Sequence, residues 1–351
     1  MRILLTGGCG FIGSAVVRHL IRNTSHSVVN FDKMTYAASE SALEEAVNSP
    51  RHVLIRADIA DAEAVRAAFA AHRPDAVMHL AAESHVDRSI DEPSTFVETN
   101  IVGTYNLLAA ARIHWSDLAP EARARFRFHH ISTDEVFGAL GPADPPFTEA
   151  TPYSPRSPYS ASKAAADHLV RAWFHTYGLP TIVSNTTNNY GPWQFPEKLI
   201  PLITINALEG THLPVYGTGS NCRDWLYVED HAEALVQVLE CGTPGATYCI
   251  GGRSPSSNLE IVRSICCLLD ELAPDPRGSY ARLISFVADR PGHDFRYEID
   301  PSSAETVLSW RARHDLTQGL RRTIGWYLAN RHWWEEIRAT RYRGQRLGTA
   351  A

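Results

Sequence analysis

Residues 132–136 read Ser-Thr-Asp-Glu-Val, two carboxyls side by side behind two hydroxyls at the end of an apolar run. Strand ends usually turn on Gly, Asn or a single Asp, and a lone acidic pair at such a point is commonly a solvated turn. In a dry pocket the same pair behaves differently. Two adjacent carboxyls cannot both ionise cheaply, so one keeps its proton while the other loses it, which puts an acid and a base in one turn. Thr133, Asp134 and Glu135 are therefore candidate catalytic groups. Successive strand residues point to opposite faces, so the acids can converge only in the turn beyond the strand. A second candidate lies in SPYSASKA, where Tyr159 precedes Lys163 by four positions and the two share a helix face. A free phenol titrates near pH about 10, and a neighbouring ammonium favours the phenolate, which would make Tyr159 a usable base near neutrality.

The N-terminal stretch LLTGGCGFIGSAVVRHL supplies Gly7, Gly10 and Gly13 between a strand and an amphipathic helix. Gly7 permits a tight turn, Gly10 lets the backbone approach a pyrophosphate, and Gly13 lets the helix pack on the strand. The helix N-terminus then offers free N–H groups to phosphates. Asp32 follows Gly13 by nineteen residues at the end of the next apolar run, where a carboxylate accepts ribose hydroxyls. Asp32 would repel a 2′-phosphate, so NAD is expected over NADP, although Lys33 stands beside it. Asp58, in IRADIAD, could read an adenine amino group or could equally be a helix N-cap. An oxidised nicotinamide is positively charged and would further favour the Tyr159 phenolate.

The elements that must position these groups follow from an alternation in the first half. RILLT, SVVNF, HVLIR, AVMHL, RFHHIS and TIVSN read as strands separated by helical stretches. Such alternation predicts right-handed βαβ crossovers and an α/β fold, a Rossmann-type doubly wound parallel sheet. From about Tyr190 proline, glycine and tryptophan become frequent and the elements shorten. We expect a cofactor domain over 1–189, with 226–250 packing back on it. A smaller, interleaved substrate-binding region should follow over 190–340, and then a disordered tail over 341–351. The two histidines at 129–130 should place one ring on each side of a strand.

Composition removes several function classes. A formal charge of −6 gives no electrostatic reason to expect nucleic acid. No apolar run reaches the roughly 20 residues of a membrane span, and the chain enters a strand at once, so neither membrane nor signal peptide is expected. The six cysteines show no CxxC pair and the sixteen histidines no HExxH, so no metal is expected, and reduced thiols point to the cytoplasm.

The motifs taken together resemble the extended short-chain dehydrogenase/reductases and, within them, the nucleotide-sugar 4,6-dehydratases of the dTDP-glucose type. TGGCGFIGS, DKMTYA, HLAAESHVDRSI, STDEVFG, SPYSASKA, NNYGPWQFPEKLIP, RDWLYVEDH and DRPGHDFRY follow that family's order over about residues 1–310. The resemblance implies NAD, tightly bound and regenerated, and adds Phe11, Ile12, Lys33, Thr35, Ile59, Ala81 and Ser84 to the cofactor contacts. It implies oxidation at carbon 4 of an NDP-glucose, with Thr133 holding the 4-hydroxyl near Tyr159. Glu135 then takes the carbon-5 proton, Asp134 protonates the departing carbon-6 hydroxyl, and hydrogen returns to carbon 6. For the substrate it implies Ser84, His85, Asn188, Arg223, Asn258 and Arg290. The chemistry of a diphosphate independently suggests Lys198, Arg223, Arg290 and His293, each also an ordinary surface charge. Tyr216 could stack on the base or simply pack.

The chain departs from the family pattern at Phe137, commonly Tyr, at Thr186 and Thr187, usually Cys-Ser, and at Cys222, usually aliphatic. A lysine-bearing segment near 303 is replaced by PSSAE. The helices near 95–112 and 159–177 carry apolar residues beyond one core-facing stripe. The resemblance makes them a homodimer contact; a helix buried within one subunit would read the same way. A nucleotide-sugar 4-epimerase or decarboxylase would share the cofactor site, Tyr159 and Lys163 without needing the Asp134–Glu135 pair. An NAD-sensing binding protein would need none of the five catalytic candidates.

Overall fold

In a computed structural model, the structure describes residues 1–289, 293–345 and 347 of the chain. The strands β1 (Arg2–Thr6), β2 (Ser27–Asp32), β3 (His52–Arg56), β4 (Ala76–His79), β5 (Arg127–Thr133) and β6 (Thr181–Thr186) fall on the six expected runs. β7 (Asn188–Tyr190), β8 (Leu213–Tyr216), β9 (Cys222–Tyr227), β10 (Thr247–Ile250), β11 (Pro255–Ser257), β12 (Ile284–Val287) and β13 (Arg296–Tyr297) follow. One seven-stranded sheet runs β3-β2-β1-β4-β5-β6-β10, with every pair parallel. Its order reverses between β1 and β4, the point where an open parallel sheet leaves a crevice at its carboxyl edge. This is the expected doubly wound Rossmann-type arrangement.

Helices α1 (Phe11–Asn23), α2 (Ala62–His72), α3 (Val86–Asp91), α4 (Pro93–Phe96), α5 (Thr104–Ser116), α6 (Pro120–Arg125) and α7 (Pro158–Tyr177) belong to the first half. Alternate strand residues serve opposite faces. Ile3, Leu5, Val28 and Ile131 pack with Val16 and Leu20 of α1, and Leu4, Val29, Phe128 and Val183 with Phe69, Leu108 and Val170 of α2, α5 and α7. The second half adds α8 (Leu199–Glu209), α9 (Val228–Cys241), α10 (Asn258–Leu272), α11 (Ser302–Leu308), α12 (Leu316–Ala329) and α13 (Arg331–Thr340). α9 buries Val228, Leu235 and Leu239 in the α1 layer, and Arg18 reaches Glu229 at 2.6 Å. The smaller lobe closes around Ile200, Leu213, Trp225, Ile265 and Leu320, with β9 flanked by β7, β11 and β13.

The chain beyond α13 is not uniformly the disordered tail expected over 341–351. Tyr342 is buried against Phe195 and Ile337, and the Arg341 guanidinium donates to the Ala38 carbonyl at 3.2 Å. An aromatic ring and a cation with a carbonyl to reach are enough to draw a polar segment back onto the fold. Arg346 and residues 348–351 lie outside the described residues. Among the described residues no helix is long and apolar enough to cross a membrane.

His129 faces α9 and His130 faces α7, one ring on each side of β5. His79, His129, His130 and His231 are all buried. Burial holds His129 and His231 down to about 3, His130 to about 4, and His79 well below the ordinary imidazole value. The unfolded chain takes up protons on these rings near pH 6.5 while the native chain resists. Their contribution is therefore whole above that pH and is lost as pH falls, by about 2 kcal/mol per ring at pH 5. The melting temperature should drop between pH 7 and pH 5. His231→Leu, which removes a ring with neither nitrogen hydrogen-bonded among the described residues, should shrink that drop; an undiminished drop would contradict the assignment.

Candidate active site

The crevice at the carboxyl edge begins at the glycine turn. Gly7 has φ of 75°, and a Cβ there would come within 2.7 Å of the Ala81 nitrogen. A Cβ on Gly13 would meet the Gly7 carbonyl oxygen at 2.0 Å, so only glycine lets α1 approach the turn. Gly10 is the N-cap of α1 and offers no side-chain cap, which leaves the first amides of the helix for an anion. At the end of β2 the Asp32 carboxylate accepts the Cys9 and Met34 amides, both at 2.8 Å. Burial raises its carboxyl while those two amides lower it.

Lys33 pairs with Asp58 at 2.5 Å. Asp58 is not the N-cap of α2. Asp61 is, accepting the Glu63 and Ala64 amides, while the amide Asp58 accepts is that of Ala60 inside the preceding turn. One cleft takes in Gly7, Gly10, Phe11, Ile12, Gly13, Asp32, Lys33, Thr35, Asp58, Ile59, Ala81 and Ser84. An open helix N-terminus, a carboxylate aimed by backbone amides and an apolar wall at Ile59 and Ala81 fit a dinucleotide.

The same cleft contains Thr133, Asp134, Glu135, Tyr159 and Lys163. β5 ends at Thr133, and Asp134–Phe137 form a single tight 3-10 turn capped by the Thr133 hydroxyl, which accepts the Glu135 amide at 3.2 Å. Both acids therefore occupy the turn, not the strand. Asp134 is 2% exposed and takes the Thr133 hydroxyl proton at 3.2 Å on one oxygen. Its other oxygen has no hydrogen-bond partner among the described residues. Burial first, then the Glu135 charge, push the Asp134 carboxyl well above the usual range, against opposition from Arg223 and Thr133. Burial and the Glu135 charge both favour its protonated form.

α7 starts with a Ser157–Ser160 capping box and Pro158 in its first turn, and ends at Gly178 in the left-handed region. The caps fix Tyr159 and Lys163 at the mouth of the helix. Tyr159 is buried edge-to-face with Phe96, ring centres 6.3 Å apart. Its phenol is not lowered as the Lys163 spacing alone suggests. Burial and then Glu135 raise it, against a hydrogen bond with Thr133. Lys163 gives a donor to the Ile131 carbonyl at 2.8 Å, and burial holds its ammonium down to about 8 while Asp167 raises it.

The nucleotide end is more dispersed than the motifs suggest. Asn188 and Lys198 line the cleft, and Lys198 donates to the Ser84 carbonyl at 3.1 Å. His85 is buried just behind it, before α3. Arg223 directs its guanidinium to the Cys222, Asp294 and Phe295 carbonyls and stacks on Tyr297 at 4.3 Å. Asn258 opens α10, and Tyr216 lies edge-on to His293, which meets Asp289 at 2.6 Å. Arg290 lies outside the described residues.

Three groups escaped the motif reading. Asp167 is a buried acceptor for Ser132, Tyr153 and Asn185. Asn100 ties Glu83 to Ser162 of α7. Glu197 lines the cleft and holds Arg88 at 2.9 Å and the Tyr36 hydroxyl at 2.8 Å. Only the i, i+4 spacing of Lys163 and Asp167 was visible in the sequence. Of the departures, Phe137 packs on Phe147 and Tyr153, while Thr186 and Thr187 line the cleft.

The family described as GDP-mannose 4,6 dehydratase matches residues 4–323. A dTDP-glucose 4,6-dehydratase of Neisseria meningitidis is 57% identical, with 99% of each chain covered. A dTDP-glucose 4,6-dehydratase of Escherichia coli K12 is also 57% identical, over 97% of each. The chain belongs to the nucleotide-sugar 4,6-dehydratases. Among solved dehydratases, the Streptomyces venezuelae dTDP-glucose 4,6-dehydratase with NAD bound superposes with a TM-score of 0.87 at 41% identity. That comparison covers 96% of this chain and all of the other.

Proposed function

We infer that the chain is an NAD-dependent hydro-lyase that converts dTDP-glucose to dTDP-4-keto-6-deoxyglucose. Identity to dTDP-glucose dehydratases over nearly the whole chain supports this reading and does not favour the epimerase or decarboxylase alternative. The observation that carries the chemistry is Asp134, a buried carboxyl next to Glu135. An epimerase has no use for a dry, proton-bearing acid at this turn.

NAD, when bound, supplies a reversible two-electron store and a positive ring, so oxidation at carbon 4 is balanced by reduction at carbon 6 and none is consumed. The chain's side chains move the protons. Thr133 holds the 4-hydroxyl, and Tyr159 takes its proton with the Lys163 ammonium alongside. Oxidation makes the carbon-5 hydrogen acidic, and Glu135 removes it. The carbon-6 hydroxyl accepts the Asp134 proton and leaves as water, and as carbon 6 is reduced Glu135 returns a proton to carbon 5. Lys198 and Asn188 bind toward the sugar diphosphate, with Ser84, His85, Tyr216, Arg223, Asn258 and His293 as further substrate contacts, and Arg290, outside the described residues, assigned to the substrate from its motif alone.

The assembly is a homodimer. Val97, Val102, Tyr105, Ile113 and Tyr177 stand exposed on the Val97–Gly103 turn, α5 and the end of α7. Tyr105, Trp173 and Tyr177 form an aromatic ladder across the two helices, with centroid spacings of 6.0 and 5.4 Å. Two such faces brought together would remove this apolar surface from water. All six cysteines are free, which suits the reducing cytoplasm.

Tyr159→Phe should block oxidation itself, so no reduced nicotinamide appears in a single turnover. Glu135→Gln should allow the 4-keto sugar and bound reduced nicotinamide to form and then stall. Asp134→Asn should keep exchange of the carbon-5 hydrogen with solvent but lose water departure. Each should slow overall dehydration about 10²- to 10⁴-fold. Near-normal dehydration by both acid variants would favour an epimerase. Light scattering should give twice the chain mass, and Tyr105→Glu should shift it toward one chain; a single-chain mass at all concentrations would exclude the dimer.

A further inference from the structure

A buried carboxylate lies beneath the reacting groups without facing the cleft. Asp167 is 0% exposed and sits one turn along α7 from Lys163. One of its oxygens accepts the Ser132 hydroxyl at 2.8 Å, the Tyr153 hydroxyl at 2.8 Å and the Asn185 amide at 3.2 Å. The other lies 3.1 Å from the His130 ring nitrogen. Each partner leads somewhere. Ser132 immediately precedes the Thr133–Glu135 turn, and the Asn185 amide also donates to the Thr133 carbonyl at 3.1 Å. Tyr153 belongs to the segment that leads into α7, and its hydroxyl takes a hydrogen bond from Arg171 at 2.7 Å.

We propose that Asp167 is a positioning residue that keeps Lys163 charged and locks the strand bearing the acid pair to the helix bearing Tyr159. The inference rests on the dehydratase reading and deepens it. A fully buried carboxylate is costly unless paired and hydrogen-bonded, and this one has neutral donors on most sides. His130 and His79, from β5 and β4, stack 5.0 Å apart, and burial keeps both neutral. His168 packs on the Tyr153 ring at 5.4 Å. Arg171 stacks on the Tyr153 ring at 4.7 Å and donates to the Tyr153 hydroxyl, so its charge reaches Asp167 through that hydroxyl. Lys163, whose ammonium is bonded to Ile131, is the cation on the cleft side whose charge acts on Asp167, after the His130 ring.

The sign follows from burial. Lys163 sits in a dry site that favours its neutral form, with an ammonium value of about 8 that Asp167 holds up. Removing the carboxylate charge lets that value fall further, so Lys163 becomes neutral at a lower pH. Loss of an opposite charge at close range moves a titration by about one to three units. The basic limb of the pH–rate profile, where the Lys163 charge disappears, should move down with it.

The experiment compares the NAD-loaded wild type with Asp167→Asn and Asp167→Glu, using dTDP-glucose and following kcat and KM from pH 6 to 10. Asp167→Asn should retain its circular dichroism and NAD content, leave KM within about twofold, lower kcat at least tenfold at pH 8, and carry its basic limb down by about one unit or more. Asp167→Glu, with the charge one methylene away, should lower kcat yet keep the limb near the wild-type position. If Asp167→Asn does not fold, the glutamate variant carries the test, and a limb displaced by a full unit there overturns the proposal. An active Asp167→Asn enzyme with an unmoved limb overturns it as well, whatever its kcat. Absence of dehydration by the wild type would overturn the dehydratase reading and this inference with it, a result distinct from an active enzyme with an unshifted limb.

Discussion

A carboxyl that must carry a proton at neutral pH has to be kept from water and set beside negative charge, and Asp134 has both, against the opposing charge of Arg223. It sits 2% exposed in a tight turn, with a like charge next to it in sequence. The closest opposing cation, Arg223, has its guanidinium directed to three backbone carbonyls. Much of the surrounding architecture serves this condition. β5 is buried on both faces and stops at Thr133, so the turn emerges at the bottom of the crevice. The smaller lobe, through β9 and β13, brings Arg223 and Tyr297 behind the turn. Glu135 remains half-buried toward the cleft, in the same pocket as the open N-terminus of α1. Two neighbours in sequence thus have two environments, the condition under which one carboxyl can serve as acid and the other as base.

The helix side of the site obeys a related constraint. Tyr159 and Lys163 are buried on the first turns of a helix whose start is held by a two-serine capping box and a proline. Burial opposes the charged form of both groups: the phenol is raised and the ammonium lowered. A base built this way depends on charges supplied nearby. The positive ring of a bound cofactor is one; the Lys163 ammonium, answered from below by Asp167, is the other. The buried imidazoles of His79 and His130 add polarity without adding charge, so they support the network without competing with Lys163.

Much of this was legible in the sequence. The six strands, the glycine turn and Asp32 depend on short-range patterns, and those patterns report backbone shape directly. The candidate acid pair and the Tyr159–Lys163 pair meet in one cleft for the same reason, since Asp134 and Glu135 share one turn and Tyr159 and Lys163 one helix face. What the sequence concealed was set by partners far along the chain. Asp58 resembled a helix cap until Asp61 took that place, because cap identity is decided by one or two residues at a helix boundary. The carbonyl partners of Arg223 at 294–295 come from a segment about seventy residues away, which no local pattern connects to it. Tyr342 seemed part of a polar tail, but Phe195 and Ile337 bury it. Asp167 belongs to no motif; its setting comes from Ser132, Tyr153 and Asn185, which no local pattern connects to it.

The protonation state of Asp134 decides the account, and isotope-edited infrared spectroscopy reads it directly. With aspartate carboxyls labelled, the NAD-loaded wild type minus Asp134→Asn difference spectrum at neutral pH should contain a protonated carboxyl stretch, which disappears only as the pH is raised well beyond the usual aspartate range. A spectrum at neutral pH showing only the ionised carboxylate at that position would contradict it, because the turn would then hold two bases and no acid.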